Sequence, residues 1–127
     1  FSILQSSAFF TDERRLKSIV HNIMSNSVKY SDPNKANCQL QVKVNVTPEK
    51  CTLVFTDNGK GISEDNQRRV FDMFYRGTTE RSGSGLGLYI VKEMTERIGG
   101  SIELQSELGK GTTLKIMLPN FIDRTTA

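Results

Sequence analysis

Apolar residues recur at helical spacing in two long stretches of the chain. The first stretch follows Thr11 and Asp12, either of which can cap a helix, and the second is stopped by Gly99 and Gly100. A shorter helix is predicted over Ser63–Phe71, capped by its first residue. The repeating apolar positions are Leu16, Ile19, Val20, Ile23, Met24 and Val28 in the first stretch, and Leu86, Ile90, Met94 and Ile98 in the second.

Other segments alternate apolar and polar residues, which is the pattern of half-buried strands. Residues 39–56 are predicted to form a hairpin, two later strands are joined through Gly109–Gly111, and Phe1–Phe10 has room for a short edge strand. The strand positions are Leu40, Val42, Val44 and Val46, then Thr52–Thr56, then Ile102 and Leu104, and finally Leu114, Ile116 and Leu118. The elements predict a two-layer α+β sandwich, in which about three helices cover one face of a mixed, mostly antiparallel sheet.

Composition is ordinary for a soluble protein and excludes few functions. The 127 residues, 36% hydrophobic and 24% charged, are expected to form a single domain over 1–127. A net charge of +3 is too small to indicate nucleic-acid binding. No apolar run approaches the roughly 20 residues of a membrane span. Cys38 and Cys51 lack metal-ligand spacing, and neither a disulfide framework nor a functional thiol is expected. Since the chain starts at Phe1, it is expected to be a piece of a longer protein.

Glycines are concentrated in three short boxes. All ten lie between positions 59 and 111, and seven of them fall in Asp57–Ile62, Gly83–Leu88 and Gly109–Thr112. The alternating glycines of Gly83–Leu88 let backbone amides approach a phosphate, because no Cβ blocks the way. The helix that follows adds unpaired N–H groups and the positive end of its dipole. This box is therefore predicted to bind phosphate.

Asn22, Asn26 and Lys29 have the spacing i, i+4 and i+7, which places them on one face of the first helix. A carboxamide oxygen is a hard ligand that can hold Mg²⁺ without repelling phosphate. An ammonium group supplies a point charge for phosphate oxygens. The alternative is an ordinary solvated helix face, which would be favoured if the glycine boxes were not there.

Asp57 follows a predicted strand and precedes Gly59 and Gly61. A carboxylate at a strand end can accept a hydrogen bond from an exocyclic amine such as adenine N6, and the glycines let a flat ring lie close to the backbone. The alternative is a simple Asp-Asn-Gly turn, which is a common sequence.

The remaining aromatic and basic candidates carry weaker signals. Phe71 and Phe74 are interpreted as anchors for the loop that follows them, and Arg76 as a phosphate contact. Tyr30 either covers the base or ribose or closes the core. His21, the only histidine, is expected in a packed or half-exposed position on the first helix and is not expected to be catalytic.

Together these segments resemble the ATP-binding catalytic domain of two-component sensor histidine kinases. The resemblance covers about residues 12–119 and rests on five motifs in the family's order. They are the N box Asn22–Tyr30, the first glycine box Asp57–Ile62, the F box Phe71–Arg76, the second glycine box Gly83–Leu88 and the last box Gly109–Thr112. Any one of these motifs is a weak signal, whereas five in this order make chance improbable.

The resemblance implies the Bergerat α/β sandwich and a Mg-ATP pocket between the first helix, the Asp57 turn and a short lid over 76–83. It assigns Asp57 to adenine N6, Asn26 and Asn22 to Mg²⁺, and Lys29 to phosphate. The nucleotide-binding set that it implies is Asn22, Asn26, Lys29, Tyr30, Asp57, Gly59, Gly61, Ile62, Phe74, Arg76, Gly83, Gly85, Leu86, Gly87, Leu88 and Thr112.

Asn22 narrows the expected reaction. Hydrolysing relatives in the superfamily carry a glutamate at the matching position as general base, and asparagine cannot accept a proton. The resemblance implies transfer of the ATP γ-phosphoryl group to a histidine on a separate dimerisation domain, and from there to a response regulator. The whole protein is expected to be a bacterial homodimer, often membrane-anchored, with this domain in the cytoplasm, and the piece alone to be a monomer. The alternatives are a non-catalytic nucleotide-binding module, a gyrase-type ATPase and an anti-sigma serine kinase.

Overall fold

The computed structural model describes residues 2–29, 31–32, 34–72 and 87–121. Within these ranges the chain forms five strands and three helices. In chain order they are β1 (Ser2–Gln5), α1 (Glu13–Lys29), β2 (Leu40–Val46), β3 (Lys50–Asp57), α2 (Glu64–Gln67), α3 (Gly87–Arg97), β4 (Ser101–Glu107) and β5 (Gly111–Pro119). None of the helices in the described ranges has the length and apolar character needed to cross a membrane.

The five strands form one sheet in the order β1-β2-β3-β5-β4. β1 pairs with β2 in parallel, and the other three neighbouring pairs are antiparallel. The hairpins β2–β3 and β4–β5 meet through the central β3–β5 pair. This arrangement confirms the predicted mixed, mostly antiparallel sheet, including the short edge strand near the start of the chain.

Alternate residues of the central strands face a single core beneath the helices. The buried pairs in register are Cys51 with Leu118, Leu53 with Ile116, and Phe55 with Leu114. From the helices, Ile19 and Ile23 of α1 and Val91 of α3 are buried in the same cluster. The predicted two-layer α+β sandwich is therefore confirmed.

The core-facing positions of three strands end in polar residues. Asp57 on β3 lies opposite Thr112 on β5, and Thr112 lies opposite Ser106 on β4. Since side chains alternate between the faces of a sheet, all three lie on the core-bearing face, two residues beyond its last apolar positions. The interior between sheet and helices therefore becomes polar at this end of the molecule.

The ends of α1 and α3 follow the capping signals in the sequence. The Asp12 carboxylate accepts a hydrogen bond of 3.1 Å from a backbone N–H in the first turn of α1. After α3, the N–H groups of Gly99 and Gly100 donate to the carbonyl oxygens of Glu96 and Thr95, both at 2.9 Å. This is the hydrogen-bond pair of a Schellman motif, which ends the helix where the two glycines predict.

The predicted helix over Ser63–Phe71 is wrong in its length. Only Glu64–Gln67 is helical, and the Ser63 side chain caps it by accepting a hydrogen bond from Asn66 N. None of the four helical residues is buried, and a helix this short has little to stabilise it beyond its cap. The chain then turns, and Phe71 packs against the core, as its interpretation as an anchor requires.

His21 is exposed, which corrects the expectation of a packed or half-exposed position. Ile19 and Ile23 on either side of it are buried, and two residues along a helix correspond to a rotation of about 200°. The histidine therefore faces away from the core. Of the two cysteines, Cys51 is buried and Cys38 is exposed shortly before β2.

Candidate functional site

The Asp57 carboxylate is held in one orientation by the backbone around it. Its Oδ1 accepts hydrogen bonds from Gly59 N at 2.9 Å and from Thr112 N at 3.3 Å. Within the described residues no hydrogen bond reaches Oδ2, and the side chain is only half-buried. One oxygen is thus fixed by the protein, and the other is left as an acceptor for a ligand.

A second set of hydrogen bonds ties the loop after β3 to the β4–β5 hairpin. The Ser106 hydroxyl accepts from Ile62 N at 2.8 Å and lies 2.8 Å from the Thr112 hydroxyl. Nε2 of Gln67 donates to the carbonyl oxygens of Ile62 at 2.7 Å and Ser106 at 3.0 Å. The first and last glycine boxes are therefore joined through Ser106, and also directly by a hydrogen bond from Gly109 N to Lys60 O at 2.7 Å.

Gly61 is required by close backbone packing. Its φ is 74°, and a Cβ at this position would overlap the carbonyl oxygen of Glu107 and approach Cα of Leu108 at 3.0 Å. Since only glycine combines this φ with the absence of a Cβ, the residue lets the loop lie against the hairpin. The backbone contact accounts for this glycine, and its predicted approach to a nucleotide base stays a prediction.

An open depression of about 330 Å³ lies at this polar end of the sheet. It is lined by Asp57, Ser106 and Thr112 and also by Thr56, Gln105, Glu107 and Thr113, which alternate with them and therefore face the opposite side of the sheet. The volume falls within the roughly 300–1,000 Å³ range of small-molecule pockets. Since four of its lining residues face away from the core, the depression extends to the outer face of the sheet and is not by itself the pocket predicted on the core-bearing face.

Asn22 and Asn26 are both half-buried on α1. Nδ2 of Asn22 donates to the carbonyl oxygen of Ser18, one turn earlier, at 2.7 Å. Only the amino end of an amide can donate, and within the described residues no hydrogen bond reaches the carbonyl oxygen of Asn22. In the described part of the chain, no hydrogen bond joins either asparagine to Asp57. The helix candidates and the sheet candidates thus form two separate groups.

The helix α3 begins at Gly87, so the backbone N–H of Leu88 lies in its first turn, and the Leu88 side chain packs against the core. The predicted role of this segment in binding phosphate stays a prediction. The predicted lid and the side chain of Lys29 lie outside the described part of the chain. So do six other predicted site residues, which are Tyr30, Phe74, Arg76, Gly83, Gly85 and Leu86.

Three polar residues that make several contacts at the site were not predicted as site residues, although the sequence pattern marks one of them. Ser106 continues the core-facing positions of Ile102 and Leu104, so a hydroxyl stands where the pattern calls for an apolar residue. Gln67 and Lys35 lie in polar segments without periodicity, and their contacts could not be read from the sequence.

Comparison with known proteins covers most of the chain. A family described as "Histidine kinase-, DNA gyrase B-, and HSP90-like ATPase" matches residues 11–121. The chain belongs to this family. The sensor protein RprX of Bacteroides fragilis is 39% identical over 114 residues, which are 87% of this chain and 22% of RprX. The chain therefore spans about a fifth of the length of this relative.

Two solved structures that share the fold illustrate the similarity. The mycobacterial sensor histidine kinase MprB is 32% identical with a TM-score of 0.71, covering 94% of this chain and 82% of that one. Full-length ShkA in complex with AMPPNP is 26% identical with a TM-score of 0.72, covering 94% of this chain and 25% of that one. The sheet with its helices is the Bergerat-type fold, and the chain is an ATP-binding catalytic domain of the sensor histidine kinase type.

Proposed function

We propose that this domain binds Mg-ATP and donates the γ-phosphoryl group to a histidine on a separate dimerisation domain. The observation that carries the proposal is the Asp57 carboxylate, whose Oδ1 is fixed by two backbone N–H groups and whose Oδ2 accepts no hydrogen bond from the described residues. A carboxylate held this way accepts a hydrogen bond from the exocyclic amine of adenine. The ketone at the same position of guanine or hypoxanthine offers only a second acceptor, which the carboxylate repels.

The magnesium ion and phosphates are assigned to α1 and to the start of α3. The open carbonyl oxygen of Asn22 and the amide of Asn26 are neutral, hard donors that fit Mg²⁺ shared with phosphate oxygens. Lys29, at the end of the same helix, is assigned to phosphate, as are the backbone N–H groups of Gly83–Leu88. When bound, the metal neutralises charge on the phosphates.

Phosphoryl transfer is favoured over ATP hydrolysis because residue 22 is an asparagine. Attack by water requires a general base within hydrogen-bond reach, and the carboxamide of Asn22 has no basic site. Phosphoryl transfer relies on positioning and charge neutralisation, which this domain can supply to a nucleophile from elsewhere. We therefore place the acceptor histidine outside this chain, in a homodimeric bacterial protein whose catalytic part works in the cytoplasm. A response regulator is the proposed final acceptor.

The test is calorimetric titration of ATP and ITP in the presence of Mg²⁺ into the wild type, Asp57→Asn and Glu103→Gln. Glu103 is exposed on the opposite face of the sheet, so its substitution controls for the loss of one carboxylate. We expect the wild type and Glu103→Gln to prefer ATP. Asp57→Asn should bind ATP at least about tenfold more weakly, since a charge-assisted hydrogen bond is lost, and should discriminate less between the two nucleotides.

Two outcomes would contradict the proposal. ATP affinity that is equal in Asp57→Asn and Glu103→Gln would place the adenine pocket elsewhere. In a parallel titration with a chelator, ATP binding should weaken, and unchanged binding would remove the metal role of Asn22 and Asn26.

A further inference from the structure

The ammonium group of Lys35 lies among three backbone carbonyl oxygens. Nζ donates to Asn58 O at 2.7 Å, to Gly59 O at 3.3 Å and to Lys110 O at 3.4 Å. A lysine ammonium has three donors and no acceptor, so these contacts use its full capacity. The group is therefore engaged within the protein, and its contacts leave no donor for a bound phosphate.

The three carbonyls belong to the two backbone segments that orient Asp57. Gly59, whose carbonyl binds Lys35, is also the residue whose N–H binds Oδ1 of Asp57. Lys110 lies two residues before Thr112, whose N–H binds the same oxygen. One ammonium group thus holds together both segments that hold the carboxylate.

The segment that carries Lys35 is itself fixed. Its backbone N–H donates to Asp32 O at 3.1 Å, which forms a turn after α1. The Asn58 side chain then ties the following residues to the Asp57 loop, because its Nδ2 donates to Asn37 O at 2.6 Å and its Oδ1 accepts from Gln39 N at 2.8 Å. The residues that follow Lys35 are therefore tied to the Asp57 loop by the Asn58 side chain.

From this geometry we propose that Lys35 is a positioning residue for recognition of the nucleotide base. It acts through the backbone: by fixing Gly59 and Lys110, it keeps the open oxygen of Asp57 aimed at the exocyclic amine of adenine. The inference rests on the proposed function, since it assumes that Asp57 reads the base. It assigns base selectivity in part to a residue in the α1–β2 connection, outside the glycine boxes.

The variants that test this are Lys35→Met, Lys35→Arg and Lys43→Met. Methionine keeps an unbranched apolar stem and removes every donor, whereas arginine keeps several donors on a planar group. Lys43 is exposed on β2, and its substitution controls for the loss of one positive charge. Calorimetry gives the ratio of the ATP and ITP affinities, and amide hydrogen exchange of Gly59 and Thr112 reports the hydrogen bonds to Asp57 without nucleotide.

We expect Lys35→Met to reduce the ATP preference about tenfold and to speed exchange at both amides, because the charge-assisted hydrogen bonds are lost. Lys35→Arg should lie between Lys35→Met and the wild type, and Lys43→Met should match the wild type. A purely structural role would lower thermal stability without changing the affinity ratio. An unchanged ratio in folded Lys35→Met or Lys35→Arg would therefore overturn the inference. If the wild type itself does not prefer ATP, the proposed function fails instead, and both proposals fall.

Discussion

Two acidic groups at opposite ends of β3 have opposite surroundings. Cys51, near the start, is 1% exposed, and burial raises the pKa of its thiol from 9.0 to about 11. Asp57, at the end, is half-buried and accepts two backbone N–H donors. Burial at the apolar end of the strand thus raises the pKa of the Cys51 thiol, whereas at the polar end the Asp57 side chain accepts hydrogen bonds from the backbone.

The raised pKa of Cys51 predicts a loss of stability in alkali. Between pH 9 and about 11 the unfolded thiol releases its proton while the folded thiol keeps it, so the free energy of unfolding falls as pH rises. The stabilisation is fully present below pH 9 and lost above about pH 11. Urea denaturation at pH 8 and pH 10.5 should show a larger decrease for the wild type than for Cys51→Ala. Equal decreases in the two proteins would show that the buried thiol does not drive this change.

Residues of the site differ in how far the sequence could predict them. The family resemblance implies Asp57 and Thr112 as nucleotide-binding residues, and the structure joins them by one hydrogen bond. Lys35 could not be predicted, because its contacts lie 23 to 75 residues away and a lysine in a polar loop has no periodic pattern. Contacts between irregular segments depend on the assembled fold, and local sequence does not encode them visibly.

At the scale of elements, the periodicity of the apolar residues predicted the helices and strands that pack against the core. Both hairpins, α1 and α3 lie where the apolar repeats place them, because each repeat faces the shared core. The short helix α2 was overestimated because it buries nothing, so its length is set by a cap and by side-chain hydrogen bonds. The loop after β3 and the β4–β5 hairpin act as one unit, joined by backbone packing at Gly61 and by the Ser106 hydroxyl.

Alanine at two glycines separates backbone strain from this packing. Gly61 and Gly109 have φ of 74° and 85°, so alanine is strained at both, at about 1–2 kcal/mol. A Cβ on Gly109 has no atom within 4 Å, whereas a Cβ on Gly61 would overlap the backbone of Glu107. We expect Gly61→Ala to cost roughly 1–3 kcal/mol more than Gly109→Ala in urea denaturation and to weaken ATP binding as well. Similar losses in both variants would mean that the hairpin yields easily and that the two boxes are not rigidly joined.

In the whole molecule, the two groups of candidate residues lie in different layers, one in the sheet and one in the helices. The sheet end supplies Asp57 and its supports, and α1 supplies Asn22 and Asn26. The order of the motifs predicted both groups and the family, because each motif is local in sequence. Their mutual geometry could not be predicted, because it depends on how the helices pack on the sheet in the assembled fold.

The whole-molecule prediction is that this chain is a phosphoryl donor without an acceptor of its own. In-line transfer requires a nucleophile aligned with the γ-phosphate, and the only histidine, His21, lies on the exposed side of α1, away from the core. Incubation with γ-labelled ATP should therefore leave no acid-labile phosphate on this chain. Added to the histidine-bearing dimerisation domain of a sensor histidine kinase, it should label that domain. The control is His21→Gln, which should donate as well as the wild type. Acid-labile label on the wild type that disappears in His21→Gln would show that the chain carries its acceptor on α1.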